Sequence, residues 1–521
     1  MLFPKYYSPH QKGILIIDYG SQYTFLIARR LRELGAYTEI VSNKDALPSG
    51  FEVQGFVLSG SPRSADGADT VPAFLWESGK PILGICYGMQ LISHAFGGQI
   101  RSQEKREYGR AQLSLTESSP RLVRELFADT PSLQTVWMSH GDDVETAPPE
   151  FETYGVTESK ASAVLAHRKL PIIGLQFHPE VHHTDWGKTI LQNFANRVCG
   201  MNLDWTPQAF VEELAGKLEA TLGPQDRVLL AISGGVDSTV CGVLLTKILG
   251  KERVTCVFVD HGLLRSGEAD YVSEKLGNLG LNLTVLERSE LFLQKIAGVS
   301  DAEEKRKIIG RTFIEVFEKF ATGRSFTHFA QGTLYPDVIE SSGAGSQAEV
   351  IKSHHNVGGL PETLKLSLLE PFRFLFKDEV RRLGKDLGLP EFLLNRHPFP
   401  GPGLAIRIPG EVSKEKVSIL QKADQIFSHA LREHGFYEKI WQAGVVLLPV
   451  KSVGVMGDKR TYEYTCVLRA VHAADAMTAQ VGDLPLSFLT GVADQIVRKV
   501  PGINRVLYDV TSKPPATIEW E

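Results

Sequence analysis

The sequence contains few cysteines, no long apolar run and no excess of positive charge. Its 5 cysteines among 521 residues are an odd number without a C-x-x-C pair, which argues against a disulfide framework or a zinc knuckle and predicts a reducing compartment. No run approaches the roughly 18 apolar residues that cross a bilayer, and residues 1–12 lack the apolar centre of a signal peptide. The formal net charge of −5 is not typical of a nucleic-acid-binding protein. We therefore expect a cytoplasmic protein that binds neither membranes nor nucleic acid.

Composition and length indicate a folded protein of several domains. Hydrophobic residues make up 43% and charged residues 22% of the chain, which are ordinary fractions for a globular protein. A chain of 521 residues is too long for one hydrophobic core, so about two to four domains are expected. Strand-like apolar runs alternate with helical stretches through most of the chain. This pattern predicts an α/β protein with an N-terminal extension (residues 1–12), two mostly parallel, doubly wound domains (residues 13–203 and 204–395) and a small α+β domain (residues 396–521).

A glycine-rich turn, LAISGGVDS, separates a buried strand predicted at Val228–Ile232 from an amphipathic helix predicted at Asp237–Leu249. Glycines let backbone N–H groups approach an anion, and the N-terminus of a helix favours negative charge. The lysine of the pattern G-x-x-x-x-G-K-[ST] is absent, and Asp237 is instead placed to hold a magnesium ion that bridges phosphates. For S-G-G alone, a tight connection without a ligand is the alternative. The turn therefore predicts a phosphate site.

The hexapeptide SGGVDS resembles the signature of the PP-loop ATP pyrophosphatases, which adenylate a substrate and release pyrophosphate. The resemblance implies that ATP binds at Ser233, Gly234, Gly235, Val236, Asp237 and Ser238. The strand Val254–Asp260 ends at the same predicted sheet edge, where Val259 is expected to contact adenine or ribose. Gly332 begins a G-T-x-x-x-D stretch similar to one in amidating members of the family, and Asp337 resembles a second magnesium ligand. Lys352 follows a glycine- and serine-rich stretch and is expected to reach the pyrophosphate from a lid, with a solvated loop as the alternative.

Two motifs predict a catalytic triad built on a cysteine. Cys86 stands between an apolar strand and a helix that begins at Tyr87, where the helix dipole favours a thiolate and the Tyr87 N–H can stabilise an oxyanion. The motif QFHPE follows another buried strand, so that His178 can accept the thiol proton and Glu180 can hold the other imidazole nitrogen. Each motif alone is also compatible with a core cysteine and an ordinary turn. Together they predict a nucleophile, a base and an orienting carboxylate.

The motifs GICYGMQ and QFHPE together resemble the class I glutamine amidotransferases over nearly the whole first domain. The resemblance implies that Cys86 attacks the side-chain amide of glutamine, which gives a glutamyl thioester and ammonia. It also implies a second oxyanion donor, Gly60, and two glutamine-binding residues, Gln90 and Asp142. The family more often has L-S-G-G-P where this chain has L-S-G-S-P, with Ser61 at the differing position.

Two further segments extend the resemblance to the C-terminus. RHPFPGPGLA, which begins at Arg396, is too rich in proline and glycine for a helix or a central strand, and two prolines stiffen the tail TSKPPATIEWE. With the first two domains, these segments resemble the glutamine-hydrolysing GMP synthetase family. The resemblance implies that ATP adenylates xanthosine monophosphate (XMP) on its C2 oxygen, that ammonia displaces AMP to give GMP, and that the third domain forms a homodimer. The implied XMP-binding residues are Arg265, Gln442, Lys513 and Glu519, with an exposed turn arginine as the alternative for Arg265.

Other functions compete with this one. NAD and asparagine synthetases share the ATP chemistry, but their glutaminases use an N-terminal cysteine or a nitrilase-like triad, whereas Cys86 is internal. A tRNA-thiolating enzyme needs a relay cysteine and a basic surface, yet Cys241 and Cys256 have the pattern of core residues. A metal site at His182 and His183 lacks a cysteine or carboxylate cluster to complete it. A binding module without catalysis would leave both the triad and the phosphate loop without a role.

Overall fold

The computed structural model describes residues 12–21, 23–45, 47–48, 50–64, 69–335, 366–456, 458–473 and 479–521. Contacts between residues divide the chain into two compact units. The first unit contains the described residues from 12 to 214 and Tyr335, and the second contains those from 215 to 334 and from 366 to 521. The predicted site residues Asp337 and Lys352 lie outside the described residues, as do residues 1–11.

The first unit is built on one sheet. Its strands are β1 (Lys12–Asp18), β2 (Thr38–Ser42), β3 (Glu52–Leu58), β4 (Ile82–Ile85), β5 (Gln99–Leu115), β6 (Leu133–Thr146), β7 (Phe151–Thr157), β8 (Ser162–His167) and β9 (Ile172–Leu175). Its helices are α1 (Thr24–Glu33), α2 (Ala73–Glu77), α3 (Tyr87–Ala95), α4 (Arg121–Leu126) and α5 (Gly187–Asn193). The nine strands have the order β2-β1-β3-β4-β9-β8-β7-β5-β6. Neighbouring strands are parallel from β2 to β9 and antiparallel from β9 to β6.

The parallel half of this sheet follows directly from apolar runs in the sequence. Residues 14–17 of β1 are all 0% exposed, because helices cover both faces of a parallel sheet. The antiparallel half has a weaker sequence signal: β6 buries alternate residues, and these include the polar side chains of Gln134 and His140. The predicted parallel strands are confirmed, and the four antiparallel strands are an extension that the sequence pattern does not predict.

The second unit contains a smaller parallel sheet. Its strands are β10 (Val228–Ala231), β11 (Val254–Asp260), β12 (Leu283–Glu287), β13 (His328–Ala330) and β14 (Ser367–Leu369), in the order β12-β11-β10-β13-β14. The helices around it are α6 (Pro207–Thr221), which contains the boundary between the units, α7 (Val236–Leu249), α8 (Glu268–Gly277), α9 (Ser289–Lys295), α10 (Ala302–Ala321), α11 (Lys377–Asp386) and α12 (Glu391–Leu394). All pairs of neighbouring strands are parallel. The carboxyl ends of these strands therefore share one edge, as in other open α/β sheets that bind ligands.

A second sheet in this unit has mixed strand directions. It consists of β15 (Gln442–Met456), β16 (Lys459–His472), β17 (Gln480–Val481) and β18 (Ile503–Tyr508), and the helices α13 (Lys414–Glu433) and α14 (Leu486–Lys499) belong to the same region. The pairing is antiparallel for β15 with β16 and for β16 with β17, as is common in α+β folds. Strand β18 instead runs parallel to β16, because α14 precedes it and provides the crossover that a parallel strand requires.

The predicted α/β class, with a small α+β region near the C-terminus, is thus confirmed. Among the described residues, no helix has the length and apolar character needed to cross a bilayer. One local prediction is wrong: α7 is not amphipathic. Thr239, Val240 and Leu245 point to different sides of the helix and are only 1%, 0% and 0% exposed, and a Cβ on Gly384 of α11 would lie 2.9 Å from Val240. A helix enclosed by sheet and neighbouring helix can be apolar around most of its circumference.

Candidate active sites

Cys86 lies in a strained turn between β4 and α3. Its backbone has φ +53° and ψ −106°, a positive-φ conformation that is costly for a residue with a side chain. The Cys86 N–H donates to the carbonyl of Leu175 at 2.7 Å, which ties the turn to the end of β9. The turn also needs Gly88, where a Cβ would lie 2.3 Å from the Leu58 carbonyl oxygen. These contacts hold the thiol at the N-terminus of α3, where the helix dipole favours a thiolate.

His178 and Glu180 form a buried pair beside this thiol. The His178 Nδ1–H donates to Glu180 Oε1 at 2.6 Å, and the two residues are 3% and 1% exposed. Burial acts to lower the pKa of His178, but the charges of Glu180 and the Cys86 thiolate, with hydrogen bonds to both, raise it well above its usual value. Because Nδ1 is engaged by Glu180, Nε2 is the nitrogen left for the thiol. The geometry is therefore suited to proton transfer between the Cys86 thiol and the His178 imidazole.

Tyr87 and Gly60 lie next to Cys86 and His178 respectively. Tyr87 is the first residue of α3, so its N–H points out of the N-terminal end of the helix. A Cβ on Gly60 would lie 3.2 Å from Ser21 Oγ and 3.5 Å from His178 Cε1, so the backbone of Gly60 passes close to the imidazole. Ser61, where the chain departs from the family pattern, accepts a hydrogen bond from the Arg63 N–H at 3.2 Å. Two backbone segments therefore approach the reacting region.

Gln90 and Asp142 are joined by a hydrogen bond near the thiol. Gln90 Nε2 donates to the main-chain carbonyl of Asp142 at 2.7 Å, and the His140 Nδ1–H donates to the same carbonyl at 2.9 Å. These contacts fix the main chain of Asp142 and leave its carboxylate for other partners. A residue not predicted from the sequence also lies here: Gln176 is 0% exposed, and its Nε2 lies 3.7 Å from Cys86 Sγ. Its position two residues before His178, at the end of β9, was the available signal.

In the second unit, the SGGVDS loop connects β10 to α7 through internal hydrogen bonds. The Ser238 hydroxyl accepts from the Ser233 N–H at 3.1 Å and donates to the Gly235 carbonyl at 3.2 Å. Gly234 has φ +75°, and a Cβ there would lie 2.6 Å from Val272, so only glycine fits without strain. A Cβ on Gly332 would lie 3.1 Å from the Asp237 carbonyl carbon, which places the backbone after β13 against the start of α7. The arrangement forms a compact turn at a helix N-terminus, suited to an anion.

A lysine that the sequence analysis missed lies beside this loop. Lys377 Nζ is 3.6 Å from Asp237 Oδ2, and Lys377 is the first residue of α11. The Asp237 carboxylate is also an oxygen ligand of the kind that magnesium takes. Among the described residues, no group of three or more His, Cys, Asp or Glu is suited to a metal. A site completed by phosphate oxygens requires only one or two protein carboxylates, so Asp237 fits that role.

Val259 lies near the C-terminal end of β11, and Arg265 follows the strand. Val259 is 4% exposed within the strand. Arg265 Nε lies 3.2 Å from Asp424 Oδ2, and its guanidinium carbon is 5.0 Å from the centre of the Phe399 ring. The alternative of an exposed turn arginine is therefore wrong, since the side chain is 14% exposed and paired.

Glu519 in the C-terminal tail forms a bidentate pair with a buried arginine. Arg407 Nε and Nη2 donate to the two carboxylate oxygens of Glu519 at 2.9 and 2.7 Å, and Gln442 Nε2 also donates to Glu519. Gly444 is needed here, because a Cβ would lie 2.1 Å from Arg407 Nη1. The fourth predicted XMP residue, Lys513, exchanges main-chain hydrogen bonds with Ala479 at 2.7 and 3.0 Å. The structure thus brings Gln442 and Glu519 together and adds Arg407.

The end of the tail is held by a second buried cation. Lys305 of α10 is 0% exposed, and its Nζ donates to Glu521 Oε2 at 2.5 Å and to the Ile408 carbonyl at 2.8 Å. The Gly410 N–H donates to the other Glu521 oxygen at 3.1 Å. A lysine within an ordinary helix gives no sequence signal of such a role. The tail is therefore an anchored part of the second unit.

The cysteines considered for a sulfur relay are core residues, as predicted. Cys241 and Cys256 are both 0% exposed. Burial raises the pKa of Cys256 to about 12 and that of Cys241 further, so both thiols stay protonated near neutral pH. This environment argues against a thiolating enzyme.

Three family models match parts of the chain. Residues 15–198 match class I glutamine amidotransferases, residues 208–305 match NAD synthase, and residues 429–520 match the C-terminal domain of GMP synthase. The NAD synthase match is thus confined to the region around the phosphate loop. A crystal structure of a glutamine amidotransferase from Thermotoga maritima is similar to 37% of this chain and 100% of that one, with 18% identity and a TM-score of 0.30.

Several relatives match along nearly the whole chain. A glutamine-hydrolysing GMP synthase of Aquifex aeolicus is 52% identical over 521 residues, which cover 98% of this chain and 100% of the relative. Relatives of the same name from Cytophaga hutchinsonii and Porphyromonas gingivalis are 49% and 51% identical, and each match covers 98% of this chain and 99% of the relative. The chain therefore belongs to the glutamine-hydrolysing GMP synthase family.

Proposed function

We propose that this protein makes GMP by amidating XMP with ammonia from glutamine, driven by cleavage of ATP to AMP and pyrophosphate. The observation that carries the proposal is the occurrence, in one chain, of the Cys86–His178–Glu180 arrangement and of the SGGVDS loop at a helix N-terminus. Adenylation turns the poor leaving group at the purine C2 position into a good one. A glutaminase supplies unprotonated ammonia, which is scarce in free form near neutral pH.

In the glutaminase reaction, the Cys86 thiolate attacks the side-chain amide carbon of glutamine. His178 gives a proton to the departing ammonia and then takes one from the water that hydrolyses the thioester, while Glu180 keeps the imidazole oriented. The N–H groups of Gly60 and Tyr87 stabilise the oxyanion. Gln90 and Asp142 contribute to the glutamine pocket. The hydrogen bond between His178 and Glu180, and the raised pKa of His178, support these assignments.

In the synthetase reaction, the XMP C2 oxygen attacks the α-phosphorus of ATP, pyrophosphate leaves, and ammonia then displaces AMP from C2. We assign the phosphate-binding role to the loop residues Ser233, Gly234, Gly235, Val236, Asp237 and Ser238. Val259 and Gly332 are assigned to the rest of the ATP site and Lys352 to the pyrophosphate. Magnesium, held by Asp237 and Asp337, would neutralise phosphate charge. The position of Asp237 in the first turn of α7 supports this role.

We assign XMP to the region of Arg265, Gln442, Lys513 and Glu519. The support is chemical: a nucleotide with an anionic phosphate and hydrogen-bonding base edges needs cations and amides, and Arg265 and Gln442 lie near Arg407, Asp424 and Glu519. Because Glu519 is bound to Arg407, substrate entry requires either rearrangement of that pair or contact with its outer edge. Measuring the XMP affinity of variants with single substitutions tests the role of each of these residues.

We also propose a cytoplasmic location and a homodimer formed by the third of three domains. The domains are residues 13–203, 204–395 and 396–521. Exposed apolar side chains on β15 and β16 support the dimer: Val453, Val455 and Tyr462 are 44%, 76% and 65% exposed. A strip of this kind on a soluble enzyme commonly marks an interface. Sedimentation equilibrium that gives a single chain at micromolar concentration would contradict it.

The proposed reaction is tested by incubating the protein with ATP, magnesium, XMP and glutamine and following GMP, AMP and pyrophosphate by mass spectrometry, with each component omitted in turn. We expect GMP to require ATP and XMP, and glutamine to be replaceable by a high concentration of ammonium. Pyrophosphate release that is independent of XMP would retain the ATP site but contradict the proposed acceptor.

A further inference from the structure

Arg396 reaches the phosphate loop from a distant part of the chain. Its Nη1 donates to the main-chain carbonyl of Gly234 at 2.9 Å, although the two residues are 162 positions apart. Gly234 is the loop residue with φ +75° whose backbone lies against Val272. Arg396 is therefore in contact with the main chain of the proposed ATP site and not with a neighbouring side chain of that loop.

The carbonyl that Arg396 binds shares a peptide group with the N–H of Gly235. In a trans peptide group the C=O and N–H bonds point in opposite directions, so fixing the Gly234 carbonyl fixes the direction of the Gly235 N–H. That N–H donates to Ser233 Oγ at 3.3 Å, a long hydrogen bond that an anion can replace. A cation on the carbonyl also polarises the peptide group and strengthens its N–H as a donor.

Arg396 is itself held in place on two sides. Its Nη2 donates to the carboxylate of Glu268 in α8, and its guanidinium carbon lies 5.3 Å from the centre of the Tyr271 ring. The Arg396 side chain is 18% exposed and that of Glu268 is 14% exposed. Because the carboxylate balances the guanidinium charge, Arg396 does not act mainly as a free positive charge that attracts phosphate.

The main chain next to Arg396 is also anchored. The His397 ring stacks on the Tyr437 ring with centres 3.8 Å apart and an interplanar angle of 1°, and its Nε2–H donates to the Tyr437 carbonyl at 2.8 Å. Farther along, the Leu404 N–H donates to the Leu263 carbonyl at 2.7 Å. The segment RHPFPGPGLA is therefore a fixed support from which the arginine extends.

We propose that Arg396 is a positioning residue of the phosphate loop: it holds the Gly234–Gly235 peptide group in the orientation that presents the Gly235 N–H to a phosphate of ATP. This inference rests on the proposed ATP-binding role of the SGGVDS loop. It differs from a general stabilising role because its effect is limited to the phosphate groups of the ligand. Adenosine, which has no phosphate, does not need this peptide orientation.

The test compares direct binding of ATP with magnesium, and of adenosine, to the full chain and to Arg396→Met, without XMP or a nitrogen source. We expect the variant to bind ATP about 10- to 100-fold more weakly, the range for loss of a charge-assisted hydrogen bond, and adenosine within twofold of the unmodified protein. Arg396→Lys keeps the charge but not the planar fork, so an intermediate loss is expected. Arg432→Met is the matched control, because the Arg432 guanidinium also lies over a tyrosine ring, 4.1 Å from the centre of Tyr437, but has no bond to the loop.

The outcomes separate this inference from the function on which it rests. Equal weakening of ATP and adenosine, or unchanged ATP affinity in both Arg396 variants, would overturn the positioning role while leaving the ATP site intact. An unmodified protein that does not bind ATP would overturn the proposed function and the inference with it. If Arg396→Met does not fold, as judged by thermal unfolding, the comparison of Arg396→Lys with Arg432→Met decides the question.

Discussion

The two proposed catalytic turns have the same place in their sheets, and both contain a residue with positive φ, but the type of residue at that position differs. Each connects a parallel strand to a helix, β4 to α3 and β10 to α7, and each contains a residue with positive φ. In the first turn that residue is Cys86, with φ +53°, and in the second it is Gly234, with φ +75°. A side chain in this region costs roughly 1–3 kcal/mol, whereas glycine adopts it freely.

The difference shows what each turn must present to its ligand. A nucleophile is a side chain, so the first turn has to carry a Cβ in a strained conformation, and the surrounding glycines and the hydrogen bond to Leu175 keep it there. A phosphate is bound by main-chain N–H groups, so the second turn can have glycine at its positive-φ position. The carbonyl of Gly234 then needs a hydrogen-bond donor from outside the loop. Arg396 is that donor.

The largest expected effect comes from removing the nucleophile. Cys86→Ala should abolish glutamine-dependent GMP formation, a loss of at least about 10³-fold, since no other group can form the thioester. Ammonia-dependent formation should stay within twofold. Rates with both nitrogen sources, measured under saturating ATP and XMP, check this expectation.

Cys199→Ala serves as the matched control for the thiol. Cys199 is another cysteine of the same unit, and burial raises the pKa of its thiol well above the usual value, so it should be dispensable for glutamine use. Equal loss with glutamine and ammonia in Cys86→Ala would show that the turn supports the whole protein and not the glutaminase alone.

The next effect concerns the orientation of the base. Glu180→Gln should reduce glutamine-dependent turnover by about 10³-fold, less than the roughly 10⁴-fold loss in serine triads, because a thiol ionises more readily than a serine hydroxyl. Glu180 raises the pKa of His178, so the imidazolium of the native protein persists to higher pH. Without that carboxylate the pKa falls, and the alkaline limb of the glutaminase pH profile should move to lower pH. A reduced rate with an unchanged alkaline limb would contradict the assigned electrostatic role.

A smaller effect is expected from adding a side chain at Gly234 of the phosphate loop. Gly234→Ala would place a Cβ 2.6 Å from Val272 at φ +75°, so the loop must shift, and a shift of about 1 Å can reduce the rate by about 10²-fold. The loss should appear with both glutamine and ammonia as an increased KM for ATP. Gly250→Ala, at the other end of α7, has φ +88° but open space around the new Cβ. It should lower stability without changing the KM for ATP, and a similar KM increase in both variants would refute the steric argument.

The smallest effect is expected at Gly60, in the turn that follows β3. Gly60→Ala keeps its N–H and places a Cβ 3.2 Å from Ser21 Oγ, a contact that a small adjustment relieves. We expect glutamine-dependent kcat to fall by about tenfold or less, with ammonia-dependent turnover unchanged. A loss as large as that of Gly234→Ala would mean that the Gly60 and Gly234 turns tolerate a side chain equally poorly.

Much of the fold was predictable because its strands are continuous apolar runs. Residues 228–232 and 254–260 predicted strands of a parallel sheet, and β10 and β11 occupy nearly those positions. The four antiparallel strands of the first sheet were not predicted, since polar residues such as Gln134 occupy buried positions there. The helix after SGGVDS was predicted as amphipathic, but packing against α11 buries it on several sides.

By itself, the sequence determined the chemistry of this protein: a thiol, an imidazole and a carboxylate in two short motifs, and a glycine-rich turn between a strand and a helix. These features are local, and chain connectivity alone places them at strand ends. Only the tertiary structure decided which distant cations serve them: Arg396 at Gly234, Lys377 at Asp237, and Arg407 at Glu519, 112 residues apart. An arginine or lysine has the same appearance in a sequence whether it lies in solvent or binds a main-chain carbonyl, because its partner is selected by packing and not by neighbours along the chain.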